Sequence, residues 1–95
     1  MTNALLKRRV DQQASALASA LREPSGAVPE RLRALAAQLE LTVASLERLS
    51  SELRSRGNAL ARDLVKEAEI YEDGFSTDAE GELRALREWL TEVPE

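Results

Sequence analysis

Leucine recurs at intervals of seven through the middle of this chain, at Leu32, Leu39, Leu46, Leu53 and Leu60, with Leu35, Thr42 and Leu49 at the alternate seam positions. Such a heptad draws one apolar stripe along an α-helix and requires something to cover it. Pro29 and Glu30 open the segment as a helix start does: the proline gives up an N–H that the first turn does not use, and the acid faces the positive end of the helix dipole. The pattern predicts one helix from 29 to 73. Past Leu53 the stripe drifts to Gly57, Leu60, Leu64, Ala68 and Tyr71, which relaxes a left-handed supercoil toward a straighter helix. Arg56-Gly57-Asn58 is the weak joint, because glycine inside a helix costs about 1 kcal/mol relative to alanine. Gly57 reads first as a kink or a close helix crossing, and second as a hinge.

Composition agrees with helices. Leu 16, Ala 15, Glu 13 and Arg 11 make 55 of the 95 residues, while Ile, Phe, Tyr and Trp occur once each, too few β-branched and aromatic residues for a sheet. Pro24, Ser25, Gly26 and Pro29 mark one break, and Gly74 with Ser76-Thr77-Asp78 marks a second. Helices are therefore predicted at 3–22, 29–73 and 77–93 in a single all-α domain spanning 1–95, the third opening on a Thr77–Glu80 capping box. Leu6, Val10, Gln13, Ala14, Leu17, Ala20 and Leu21 form the apolar face of the first helix, and Leu83, Leu86, Trp89, Leu90 and Val93 that of the third.

The three segments measure roughly 31, 67 and 25 Å at about 1.5 Å per residue, so two short helices fold back antiparallel on the halves of a long one. Their free ends meet at its middle and bring Lys7, Arg8 and Arg9 toward Glu88, Glu92 and Glu95. A layer two helices thick leaves its seam half covered. The sequence thus predicts a homodimer that completes a four-helix cross-section through Leu32, Leu35, Leu39, Leu46, Leu49, Leu53 and Leu60. The competing fold breaks at Gly57 and closes a monomeric four-helix bundle.

Chemistry is constrained by what is missing. The chain has no Cys and no His, which removes disulfides, thiolates and imidazole bases. Its four glycines are isolated, so there is no phosphate loop. Glu69, Glu72 and Asp73 share a helix face but lack a calcium-loop spacing, and Ser50-Ser51 has no base to activate a hydroxyl. No enzyme, cofactor or metal is expected. Residues 67–95 carry ten acids against Arg84 and Arg87 in a chain of net charge −4, which argues against nucleic acid. No apolar run is long enough to span a bilayer, and a cytoplasmic protein is expected. An adaptor for a protein partner is the predicted function. Tyr71 and Phe75, one turn apart, together with Trp89 are the candidate contact, or a small aromatic plug closing that end of the core.

Pro29-Glu30-Arg31-Leu32-Arg33-Ala34-Leu35-Ala36, with the run from Gly57 to Ala68-Glu69-Ile70-Tyr71-Glu72, resembles the small helical proteins of actinobacterial type VII secretion, the Trp-x-Gly hairpin family and its relatives. The resemblance implies a bacterial protein exported by a non-classical route, or one bound to a chaperone as a heterodimer. The chain departs from that pattern twice: it has no Trp-x-Gly turn, and Phe75 stands where the Tyr-x-x-x-acid export signal places its acid.

Overall fold

In the computed structural model, which describes residues 2–23, 27–75 and 78–95, the described residues form four helices rather than three: α1 (Asn3–Leu21), α2 (Val28–Ser45), α3 (Ser51–Glu72) and α4 (Ala79–Glu92). The described residues contain no strand. The helix predicted over 29–73 folds in two at residues 46–50, seven to eleven positions before the glycine marked as its weak joint. This overturns the three-helix rod, and with it the need for a second copy to complete a bundle.

No glycine or proline lies at the break. Leu46 leaves α2 in an extended conformation (ψ 138°), and Arg48 takes a left-handed φ of 57°, a strained choice for a residue with a Cβ. Local polar bonds hold the turn. The hydroxyl of Ser50 accepts from the Leu53 N–H at 3.2 Å as the N-cap of α3, with Glu52 in the first turn. Arg54 donates to the Val43 carbonyl at 2.6 Å, satisfying one of the last carbonyls of α2, which has no partner within its own helix.

The four helices form an up-and-down ring. Each packs on its chain neighbours, α2 against α3 most extensively, and α1 closes on α4 most loosely. Asn3 fixes the arrangement. Its Nδ2 donates to the Glu47 carbonyl at 2.9 Å and the Pro94 carbonyl at 3.0 Å, and its Oδ1 accepts from the Glu47 N–H at 3.0 Å. The start of α1, the α2–α3 turn and the end of α4 are thus tied together at one end of the bundle. The expected meeting of the two outer helices near the middle of the 29–73 segment does occur, but that middle is a turn. Lys7 reaches Glu95 at 3.2 Å there, while Glu92 pairs with Arg56 at 2.7 Å.

The molecule measures 39 × 20 × 18 Å, whereas a helix over 29–73 would run about 67 Å. Leu32, Leu35, Leu39 and Leu46 are buried within the single chain, and Leu49, Leu53 and Leu60 are only partly buried at its edge. The core face of α3 is instead Gly57, Ala61, Leu64 and Ala68. Its leucines at 53 and 60 flank that stripe. Gly57 does not break the helix; an added Cβ would lie 2.7 Å from Trp89 Cζ2 and 2.7 Å from Val43 Cγ2. The close-crossing reading of this glycine is the one the structure shows. At the start of α4 the cap is Asp78, whose Oδ1 accepts from the Gly81 N–H at 3.3 Å; Thr77, expected as the cap, lies outside the described residues, as do Pro24, Ser25 and Gly26 of the first break.

Candidate functional site

The end of the bundle away from Asn3 carries the most exposed aromatic side chain. Helix α3 ends in a Schellman turn, in which Phe75 N–H reaches back to the Ile70 carbonyl at 3.1 Å and Gly74 N–H to the Tyr71 carbonyl at 3.0 Å. Gly74 sits at φ 85°, a conformation that glycine adopts without steric cost. The turn projects Phe75 outward at 70% exposure, alongside Ile70 and Tyr71 near 40%. Large apolar residues standing out together on a small domain are the kind of surface that partners bury.

Trp89 does not belong to this group. It is fully buried, donates Nε1–H to the Leu53 carbonyl at 2.7 Å, and packs against Gly57, about 21 Å along α3 from Tyr71. The aromatic plug expected from Tyr71, Phe75 and Trp89 does not form. Trp89 lies on the half of α4 nearest the Asn3 end, whereas Tyr71 and Phe75 close the other end of α3. Ile70, which the heptad reading passed over, joins the exposed set because a Schellman turn pairs the residue after the glycine with the one five positions before it. The string Ile70-x-x-x-Gly74-Phe75 is the signal that reveals it.

Carboxylates surround the tip. Glu69 and Asp73 are exposed on the last turns of α3, Glu72 pairs with Arg33, and Glu67 accepts the Asp78 N–H at 3.0 Å. Along the α3–α4 flank, burial raises the carboxyl pKa of Glu82 above its ordinary range, helped by the nearby charges of Asp63, Glu67 and Asp78. A raised acid binds its proton more tightly in the folded state than in the unfolded one. Its contribution to stability therefore falls as pH rises from the ordinary glutamate range through the raised value, and returns on acidification. Glu82→Gln is expected to melt higher than the parent near neutral pH, with the difference closing as pH drops toward about 4; a melting series across that interval checks it, and a constant offset would contradict it. Glu92 acts in the opposite sense: its hydrogen bond from Arg56 lowers its pKa, so its contribution is lost as pH falls.

Among the described residues no three acids are placed to hold a metal ion, and no helix is long and apolar enough to cross a membrane. No protein-family model, curated protein or solved structure matches the chain.

Proposed function

We propose that this protein is a non-enzymatic adaptor whose acidic, aromatic tip at Ile70, Tyr71 and Phe75 holds a segment of a partner protein. The observation that carries the reading is Phe75, set out at 70% exposure on a turn whose backbone is hydrogen-bonded to the end of α3. A rigid turn loses little entropy when the side chain is buried in a complex. The acids around it favour a partner segment with basic residues beside its apolar anchor. Single aromatic anchors of this type commonly account for 2 kcal/mol or more of binding, roughly a thirtyfold change in Kd.

A photo-reactive amino acid placed at 75 tests this in cells of the source organism. The expected result is one recurrent crosslinked partner that is absent when the reactive group sits at exposed Gln12. The purified partner should then bind Phe75→Glu at least thirtyfold more weakly than the parent, while the variant keeps the parent's melting temperature. Equal crosslinking from both positions, or parental affinity in Phe75→Glu, would refute the assignment.

A further inference from the structure

The α1–α4 seam carries surface features opposite in charge to the tip. Because these two helices close most loosely, an open groove of about 640 Å³ lies between them, lined by Ala4, Lys7, Arg8, Arg87 and Leu90 among others. A second hollow of about 190 Å³ follows along the same seam, where Ala18, Leu21, Leu83 and Arg84 line it and Arg87 is shared. From Ala4 to Leu21 the track is about 26 Å long, the length of a helix of roughly 17 residues. Alanines at 4 and 18 keep its floor low, which lets a helix backbone approach closely.

Its charge selects the occupant. Arg8, Arg22, Arg84 and Arg87 line the two hollows and form no ion pair among the described residues. Asp11, Glu80 and Glu95 are the acids there, leaving the track net positive in a chain of net charge −4. One of those acids is already paired, which leaves Arg8, Arg22, Arg84 and Arg87 against Asp11 and Glu80. Glu95 lies in the groove with its carboxylate 3.2 Å from Lys7 Nζ, and its main-chain oxygen accepts from Arg48 at 3.0 Å. The same net charge opposes two copies docking by this face.

We infer that the α1–α4 track is a second docking site, and that its occupant is an acidic amphipathic helix of a partner protein, with aliphatic side chains on the half-buried Ala4, Ala18 and Leu21 and carboxylates on Arg8, Arg84 and Arg87. This is helix-in-groove recognition guided by charge. It is independent of the tip, and together the two sites would let one small bundle bridge a basic segment and an acidic helix.

The probe is a synthetic helical peptide of about 18 residues with leucine every third or fourth position and glutamate on both flanks, titrated into the full isotope-labelled chain. Chemical-shift changes are expected along Ala4, Leu21, Leu83, Arg87 and Leu90. Affinity should fall at least tenfold in Arg8→Glu/Arg87→Glu, whose circular dichroism should match the parent, and it should weaken between roughly 0.05 and 0.5 M salt. Phe75→Glu should bind the peptide as the parent does, so failure at the tip and failure at the groove are separable. The inference is overturned by absence of binding, by shifts mapping to α2 and α3, by parental affinity in the double variant, or by equal binding of the peptide with lysine in place of glutamate.

Discussion

Trp89→Ala is expected to remove about 3–5 kcal/mol of stability, the usual cost of emptying a buried aromatic site. A domain of this size holds roughly 5–14 kcal/mol in all, so the variant should melt at least about 12 °C lower, or be largely unfolded at growth temperature. The indole is fully covered. It packs from α4 onto α3, with its ring edge over Gly57 and its N–H on the Leu53 carbonyl, so its loss opens the contact between those helices. Trp89→Phe keeps most of the packing but loses the hydrogen bond, and should cost about 1–2 kcal/mol. Thermal and urea unfolding of both variants measure this. Parental stability in Trp89→Ala would return the residue to the surface, as a contact for partners.

Gly57→Val should be the next most damaging change, at about 3 kcal/mol, near the upper end of overpacking costs. The added Cβ alone would stand 2.7 Å from both Trp89 Cζ2 and Val43 Cγ2, far inside van der Waals contact, and both neighbours are held in the core. Gly57→Ala meets the same atoms but gains about 1 kcal/mol of helix propensity, so its net effect should be smaller. The two sites touch and must therefore couple. In a cycle with Trp89→Phe, Gly57→Ala should be less harmful than in the parent, with a coupling of roughly 0.5–3 kcal/mol. Additive effects would show that the helices do not cross here.

Particular residues explain what the sequence discloses and what it hides. The buried faces of the first and last helices are readable, because Leu6, Val10, Ala14 and Leu17, and again Leu83, Leu86 and Trp89, recur at helical spacing and are buried. Gly57 is legible as a close crossing for the same reason: a helix keeps a glycine in its interior where a neighbour needs the space. The turn at 46–50 is obscured. Its leucines continue the heptad from α2 into α3, and the left-handed residue is Arg48 where glycine or asparagine would have announced it. The remaining cue is Ser50-Ser51-Glu52, a serine cap followed by an acid in the first turn, which five leucines in register outweigh. Helix propensity and heptad spacing describe segments one at a time. Whether two segments join end to end or fold against each other depends on tertiary contacts such as Asn3 with Glu47 and Arg54 with Val43, which spacing along the chain does not encode.

The site divides in the same way. Tyr71 and Phe75 stand out at the surface because a glycine turn ends the helix beneath them, whereas Trp89 is drawn into the core by an empty space at Gly57 that lies 32 positions earlier in the chain. Aromatic character alone does not separate an anchor from a core residue. The α1–α4 groove has no signature within any one segment, since its cations come from both ends of the sequence and meet only once the ring closes.

The folded-over middle of the chain is tested most directly by the distance between Arg33 and Glu72, replaced by cysteines carrying spin labels and diluted with unlabelled protein so that only intramolecular pairs report. These residues form an ion pair across α2 and α3, so pulsed dipolar spectroscopy should give one short separation, well below the 39 Å longest dimension of the molecule. An unbroken helix would hold them about 58 Å apart, and a distribution centred there would contradict the four-helix bundle on which the tip and the groove both depend.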